Sequence, residues 1–467
     1  MLSLPDTLAA LAAHGVRVVG TPRDYTAVST DSRSIRSGEL FVALRGDTFD
    51  GHAFVRDVLA AGAAVALVDR DWAEANDTQG LDLLIVDDTR RAFATLATAW
   101  RRTFAIPLIG IVGSNGKTTV KEMIASILAA EVGETHRLAT TGNLNNDIGV
   151  PTMLLRLRAP HQAAVIEMGM NHPGETAELA AMAEPGVVII NNAQREHQEF
   201  MKTVAAVADE HAAALAMLPA DGVAVLNADD EFFDEWKRKA AGRRVLSFGF
   251  NAAADVRFVA AHAPDRIEFA TPQGMREVQL STVGAHNMRN ALGAAAAALA
   301  AGCSLDGVVA GLAAFRPVKG RLQVHAGIKG STVIDDSYNA NPDSVRAAID
   351  VLAAMPGRRL FVLGDMGEVG DRGPEFHDEI GAYAKAQGID ALLALGDMSR
   401  ASVAAFGAGA VHFDDIGALV EALDPQLDAN ATVLVKGSRF MRMERAVEAL
   451  RQQDSNTGSS GGTHHAA

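Results

Sequence analysis

Residues 110–119 read GIVGSNGKTT. Gly113 and Gly116 let the backbone curl until its N–H groups face an anion. The amphipathic run VKEMIASILAAE follows, so a helix N-terminus and its dipole arrive at the same point. Lys117 is placed to reach terminal phosphates, and Thr118 to ligate Mg2+. With Ser114, Asn115 and Thr119 these residues form the candidate nucleotide-binding set. The strict phosphate-loop pattern has a glycine where Ile111 stands. A strand-to-helix turn with chance glycines is the competing reading, and the order apolar strand, glycine loop, helix counts against it.

Other residues carry chemistry by type and position. Glu167 ends AAVIE, where a buried parallel strand presents ligands at its carboxyl end; a solvated strand-end charge is the rival. His197, in REHQEF, follows the apolar run GVVIINN, a place where a plain polar-loop histidine is also common. Arg321, in KGRLQ, has the planar charge suited to phosphate. Lys436, Ser438 and Arg439, in VKGSRFMRME, follow a strand and suit a substrate carboxylate, against the alternative of a solvated basic turn. HNMRN opens a helix, so Asn287 is also an ordinary N-cap candidate. YNANP reads as a turn whatever else it does.

The elements that must position these groups fall into three blocks. In the first, LFVALRG and AAVALVD read as strands with HAFVRDVLAAGA as a helix between them. The second begins at IPLIGIVGSNGKTT and repeats strand then helix; AAVIEMGM and GVVIINNA are the apolar runs expected of strands buried on both faces. AHNMRNALGAAAAALAAG reads as a helix closed by Gly302. The third block alternates GSTVIDDS, SVRAAIDVLAAM, RRLFVLGD, FHDEIGAYAKAQG, ALLALGD, TVLVKGS and RMERAVEALRQQ, the rhythm of a second doubly wound α/β domain. DSNTGSSGGTHHAA is low-complexity and reads as disordered.

At 467 residues the chain exceeds one ordinary core, and 48% hydrophobic residues suffice for several. A net charge of −15 argues against nucleic acid and anionic membrane as partners. The single cysteine, Cys303, excludes an intrachain disulfide and fits a reducing compartment. The N-terminal stretch lacks a basic region before an apolar core, and no apolar run reaches membrane-spanning length. The expectation is a soluble, cytoplasmic, monomeric protein.

GSNGKTT without the early glycine resembles the loop of the Mur ligase family, ATP-dependent amide-forming enzymes of peptidoglycan assembly. TTGNLNNDIGVP, VIEMGMNHPGE, NADD, GAHNMRNAL, IDDSYNANPDSV, LGDMGEVGDRGPEFH and VLVKGSR follow in chain order and resemble one member of it. STDSRSIRSGELFVALRGDTFDGHAF extends the resemblance into the first block. GNLNNDIGVP, DDSYNANPDS and LGDMGE are the most telling stretches.

The resemblance implies an α/β fold of three domains: a UDP-sugar-binding domain over 1–103, a central doubly wound phosphate-loop domain over 104–316, and a Rossmann-like domain over 317–453 that receives the incoming dipeptide, with 454–467 as tail. Hinges are expected near 103–106 and 314–320. The implied reaction uses ATP and Mg2+ to activate a carboxylate of UDP-N-acetylmuramoyl-tripeptide as an acyl phosphate, which the amine of D-alanyl-D-alanine attacks. Two like charges 4 Å apart repel by roughly 4 kcal/mol at an effective dielectric near 20, so an acidic chain must place its cations deliberately. Lys117, Glu167 and His197 are the implied catalytic residues, and Thr118, Glu167 and His197 the implied metal ligands. Asn287 and Asn290 are implied at the adenine edge. Asp336 is implied near ribose or phosphates, with Arg321 delivering charge and Tyr338, Asn339 and Asn341 lining the same cleft. Ser32 and Arg33 are implied at the UDP end, and Asn143, Asn145 and Asn146 at the tripeptide.

One departure stands out. The family commonly carries a carbamylated lysine after the histidine, helping to hold a second Mg2+. The corresponding stretch here, VAAVADEHAAAL, has no lysine, and Lys202 comes too early. Asp209, Glu210 or His211 is expected to take over part of that role. Rival functions are a Mur ligase adding the third peptide residue, a folylpolyglutamate synthase-like ligase, and a nucleotide-binding regulator without turnover.

Overall fold

Short apolar runs near the N-terminus pair into the first sheet of the computed structural model, which describes residues 1–46 and 48–452. The 454–467 tail lies outside the described residues. The strands are β1 (Arg17–Val19), β2 (Val28–Ser29), β3 (Leu40–Val42), β4 (Val65–Asp69) and β5 (Leu83–Val86), in the order β1-β5-β4-β3-β2. All neighbours run parallel except β1 with β5. HAFVRDVLAAGA forms a 3-10 turn, Gly51–Phe54, before a short helix, Val55–Ala60. The helix Thr89–Arg101 starts where the Asp88 carboxylate accepts from the Arg90 and Arg91 amides, and buries Phe93, Leu96 and Ala97. Its last residue, Arg101, is buried and donates to the Ala183 and Phe104 carbonyls, which ties the first sheet to the second within one compact unit.

The second sheet has nine strands: β6 (Leu108–Val112), β7 (Arg137–Ala139), β8 (Ala163–Glu167), β9 (Val187–Ile190), β10 (Val223–Asn227), β11 (Arg244–Gly249), β12 (Val256–Ala263), β13 (Arg266–Thr271) and β14 (Gly274–Gln279). Their order is β14-β13-β12-β11-β10-β9-β6-β8-β7. β6 to β12 are parallel, and β6, β8 and β9 are buried throughout, as their unbroken apolar runs require. β13 and β14 add an antiparallel extension beyond the strand-then-helix rhythm expected of this block.

The helix Lys117–Val132 packs against Leu305–Ala314 so closely that a Cβ on Gly311 would stand 2.3 Å from Ile127 Cα, so only glycine fits there. The Ala-rich helix Ala285–Ala300 lays a buried face of Ala291 and Ala294–Ala298 into the same core.

The third sheet holds β15 (Gln323–Ala326), β16 (Thr332–Asp336), β17 (Arg358–Gly364), β18 (Ala391–Leu395), β19 (Ala410–Phe413) and β20 (Ala431–Lys436), in the order β15-β16-β20-β17-β18-β19. Only β15 is antiparallel to its neighbour. Two apolar clusters built on alternate strand residues, one with Ile334, Phe361 and Leu434 and the other with Val333, Leu360 and Val433, show helices packed on both faces. This is the doubly wound arrangement expected of the third block.

Contacts divide the chain into two units. Met1–Gln194, Thr203–Ser281 and Asn287–Phe315 form the first; Arg195–Lys202, Thr282–His286 and the described residues from Arg316 onward form the second. Among the described residues no helix is long and apolar enough to cross a membrane.

Candidate active site

In the first unit, β6 runs straight into the loop 113–116 and the helix Lys117–Val132. Gly113 has φ +136° and Gly116 φ +81°, and a Cβ on Gly116 would stand 2.6 Å from Asn290 Oδ1 and 2.8 Å from Asn191 Nδ2. Both glycines are therefore required by conformation and by space.

A set of amides holds the loop. The Ser114 N–H donates to the Asn192 carbonyl (3.0 Å) and the Asn115 N–H to Asn192 Oδ1 (2.8 Å). Asn115 Nδ2 donates to Gln194 Oε1 (2.6 Å), and the Gln194 N–H to Ser114 Oγ (2.8 Å). Asn191 Nδ2 donates to the Asn115 carbonyl (2.7 Å) and to Asn290 Oδ1 (2.9 Å), while Asn227 Nδ2 donates to the Asn191 carbonyl (2.9 Å). Uncharged amides thus fix the loop without adding a negative charge to it. Lys117 Nζ folds back onto the Gly113 and Ser114 carbonyls.

At the head of this helix the Thr118 hydroxyl is 3.3 Å from Glu167 Oε1, which also accepts from Asn145 Nδ2 at 2.8 Å. Glu167 ends β8 and is 2% exposed; its N–H donates to Thr140 Oγ1 (2.9 Å). Its second oxygen, Oε2, is buried with no hydrogen-bond partner. A carboxylate oxygen left bare in the interior is costly unless a cation meets it. Thr118 and Glu167 thus fit a divalent ion that takes few protein ligands and fills its remaining positions with phosphate oxygens and water. Among the described residues no group of three or more His, Cys, Asp or Glu side chains forms a preassembled metal cage.

The lysine-free stretch sorts itself by geometry. Asp209 pairs with Lys239 at the surface, whose hydrogen bond holds the carboxyl below its ordinary range. Glu210 accepts from the Gly174 and Thr176 amides (2.8 Å each), so it caps the helix Glu175–Ala183. His211 is 1% exposed, with Nε2 3.5 Å from Ser114 Oγ of the loop. Beside it, burial pushes the Asp230 carboxyl up, while its oxygens accept from the Ala193 and Phe232 amides.

In the second unit, β16 and β20 deliver Asp336 and Lys436 side by side, Nζ to Oδ2 2.5 Å. Burial pushes the Asp336 carboxyl up, against the pull of Lys436 and Arg321. Lys436 also donates to the Asn339 carbonyl (3.0 Å). Tyr338 has the Arg321 guanidinium 4.3 Å from its ring centroid and that of Arg439 at 5.8 Å. Arg321 Nε is buried without a partner. Ser438 Oγ accepts from the Gly367 N–H (2.7 Å) and donates to the Ala340 carbonyl (3.1 Å). Asn341 caps the helix Pro342–Ala353 in a reciprocal box with Ser344. His197, in the Arg195–Lys202 segment, faces Glu368.

The Mur ligase family catalytic domain matches residues 24–101, the Mur ligase middle domain 111–298, and the Mur ligase glutamate ligase domain 320–439. The chain belongs to the Mur ligase family. It is 42% identical to the UDP-N-acetylmuramoyl-tripeptide–D-alanyl-D-alanine ligase of Escherichia coli K12, over 91% of this chain and 94% of that one. A crystal structure of MurF from Acinetobacter baumannii matches with TM-score 0.88 at 33% identity, covering 96% and 98% of the two chains. MurF from Thermotoga maritima, solved in complex with ADP, matches with TM-score 0.81 at 26% identity, covering 91% and 96%.

Within this Mur ligase the structure brings Gly113, Ser114, Asn115, Gly116, Lys117, Thr118, Asn145 and Glu167 together; Thr119 follows on the helix. Three expectations are placed differently. Asn287 and Asn290 are buried and engaged with one another and, through Asn290, with Asn191 behind the loop, so their side chains brace it. Lys436 and Ser438 are likewise buried and spent on partners inside their unit, Asp336 and the Gly367 N–H. Asn146 Oδ1 accepts from the Gly149 N–H (2.8 Å), where the helix Gly149–Leu154 begins. Asn143 is exposed, and Arg33 pairs with Asp31 at 2.8 Å beside Ser32. Sequence reading missed Asn191, Asn192, Gln194 and Asn227. Their signal was available as runs of amide residues just after buried strands, NNAQ and LNAD.

Proposed function

We propose that this Mur ligase joins D-alanyl-D-alanine to UDP-N-acetylmuramoyl-tripeptide at the expense of ATP. The carrying observation is Glu167 Oε2, buried without a hydrogen-bond partner and beside Thr118 at the N-terminus of the helix that follows a glycine loop. That arrangement suits a metal-bound nucleoside triphosphate. The near full-length similarity to proteins named for this ligation supports the choice of substrates.

In this reading the tripeptide carboxylate attacks the terminal phosphorus of ATP, ADP leaves, and an acyl phosphate forms. The amine of the dipeptide then attacks the acyl carbon, phosphate leaves, and the amine proton passes to solvent or base. Mg2+, when bound, spreads the charge of the phosphate oxygens. Thr118 and Glu167 would hold it. The loop amides and Lys117 orient the triphosphate, and the uncharged Asn–Gln set keeps the loop rigid. In the second unit, Arg321 and Arg439, the latter paired with Glu444 at 3.1 Å, stand by the Tyr338 ring and would meet an anionic group, and Lys436 holds Asp336 in place. Ser32 and Arg33 would meet the UDP end, with Asn143 near the peptide.

The test is ADP release by purified protein with UDP-muramoyl-tripeptide and D-alanyl-D-alanine. Release that requires both substrates is expected. Release with a single amino acid or with a folate, or binding of ATP without turnover, would overturn the assignment.

A further inference from the structure

Eight residues leave the first unit and join the second. Gln194 is bonded to Ser114 and Asn115 of the phosphate loop, and the next residue, Arg195, begins the Arg195–Lys202 strap that clusters with the second unit. The strap carries His197. Its backbone is strained at both ends: His197 has φ +46° and Lys202 φ +65°, flanking the single turn Gln198–Met201. Left-handed non-glycine residues persist only where their surroundings over-determine them.

Arg195 supplies that determination. Its backbone N–H donates to Asp343 Oδ2 (2.8 Å), Nε to both Asp343 oxygens (3.1 Å each), and Nη2 to Asp343 Oδ1 (2.6 Å). Nη1 donates to Glu379 Oε2 (2.6 Å) and Nη2 to Glu379 Oε1 (3.1 Å). All three guanidinium nitrogens are used, on carboxylates from two helices, Pro342–Ala353 and Gly373–Ala386. The guanidinium carbon also stands 5.4 Å from the Phe376 ring centroid. Burial opposes the charge, yet the hydrogen bonds to Asp343 and Glu379 leave Arg195 held more firmly protonated than usual, and its hydrogen bond to Glu379 holds that carboxyl below its ordinary range. Lysine could not make this clamp, because one ammonium cannot present the fork to two carboxylates. Farther along, the Glu199 N–H donates to the Glu368 carbonyl (3.2 Å), and a Cβ on Gly370 would approach Glu199 Cα to 3.2 Å.

We propose that Arg195 is a positioning residue which, by clamping Asp343 and Glu379, makes the His197 strap part of the second unit, so that this unit and not the phosphate-loop unit places the imidazole. The inference deepens the ligase reading and rests on it for its kinetic arm only. One peptide bond then separates a residue fixed to the loop from a residue fixed to the dipeptide-binding unit. Any movement of the second unit carries His197 with it.

The experiment compares full-length wild type with Arg195→Gln, Arg195→Lys, Asp343→Asn/Glu379→Gln and the triple variant carrying Arg195→Gln with both carboxamides. Steady-state kinetics, amide hydrogen exchange and thermal unfolding are measured on each. Arg195→Gln is expected to lower kcat by about 30-fold while KM for ATP moves by less than about two-fold, since misplacing one group by an ångström costs on the order of a hundred-fold. Amide exchange across 196–202 is expected to rise by about ten-fold or more with 113–132 unchanged. The triple variant is expected to be no worse than Arg195→Gln within about two-fold, because residues acting through one set of contacts are not additive. Arg195→Lys is expected to fall between wild type and Arg195→Gln. Unchanged exchange of the strap, faster exchange with unchanged kcat, or exchange raised throughout the second unit overturns the proposal. Should wild type fail to ligate the dipeptide, the ligase reading fails, and the exchange arm still decides whether Arg195 holds the strap.

Discussion

His197 and Glu368 face each other with Nδ1 and Oε2 2.9 Å apart, and both residues hold left-handed backbone, φ +46° and +59°. The contact lies off the line of an N–H···O bond, so its attraction is mainly that of charge and dipole. Two strained residues turned toward one another mark a place where geometry is kept for function. Glu368→Gln keeps the shape and removes the charge. If His197 serves the site, as the family resemblance implies, kcat for ADP release is expected to fall by about ten-fold with the fold unchanged, the usual cost of losing a group that orients a functional imidazole. A variant with wild-type kcat would remove Glu368 from any role in placing His197.

Lys117 Nζ meets the Gly113 and Ser114 carbonyls, and alanine at this helix start keeps full helix propensity. Lys117→Ala should therefore cost little stability and nearly all turnover. Expected is a drop of about a thousand-fold or more in ADP release, with a thermal midpoint within a few degrees of wild type. Retained turnover would refute its role at the terminal phosphates.

Asn290 separates two readings of one residue. As a reader of the adenine edge it would discriminate between bases; as a brace behind Gly116 and Asn191 it would act on any triphosphate. Asn290→Ala is expected to weaken ATP and GTP binding alike, by about ten-fold, in keeping with about 1–1.5 kcal/mol for one buried hydrogen bond. Calorimetry on both nucleotides checks this. A changed ATP-to-GTP ratio would return Asn290 to the base.

The doubly wound second and third sheets were legible because buried parallel strands are written as unbroken apolar runs such as AAVIE and TVLVK. The phosphate loop was legible because glycine, lysine and threonine are needed at fixed offsets. β13 and β14 were not, because RIEFAT and GMREVQ are half-exposed, and alternation over six residues is faint beside the charges they carry. The amide brace was hidden for another reason. Asn191 and Asn227 come from two strand ends and Asn290 from the helix Ala285–Ala300, and only the sheet order β10-β9-β6 makes β9 and β10 neighbours beside the strand that leads into the loop. Nor could any pattern show that Arg195–Lys202 would leave the unit that flanks it in sequence.

His377 makes the second unit sensitive to acid. It is fully buried; Nε2 accepts from the Met366 N–H (3.0 Å) and Nδ1 donates to the Gly373 carbonyl (2.7 Å), so the ring is neutral. Burial lowers its pKa from the usual 6.5. In the window below 6.5 the unfolded chain takes up a proton that the folded chain refuses. Stability is fully present above that value and is lost as pH falls toward the folded pKa, by up to about 1.4 kcal/mol per pH unit. Unfolding followed from pH 8 to 5.5 should show this slope, and His377→Asn, though less stable at pH 8, should lose it. An equal slope in the variant would assign the acid sensitivity elsewhere.

The stretch without a lysine offers three candidates, and the structure ranks them by what each already does. Asp209 is engaged with Lys239 at the surface, and Glu210 with the backbone at the start of the helix Glu175–Ala183. Only His211 is both buried and next to the phosphate loop, through Ser114. Asp209→Ala is accordingly expected to leave turnover within about two-fold, as surface ion pairs contribute little. Glu210→Gln is expected to destabilise by about 1–2 kcal/mol through the weakened cap while sparing kcat. His211→Ala is expected to lower kcat by about ten-fold or more and to raise the Mg2+ concentration needed for half-maximal rate, as loss of a group supporting a metal–phosphate site does. Kinetics at several Mg2+ concentrations on the three variants separates these outcomes. If Glu210→Gln shifted the Mg2+ dependence and His211→Ala did not, the role would pass to the carboxylate.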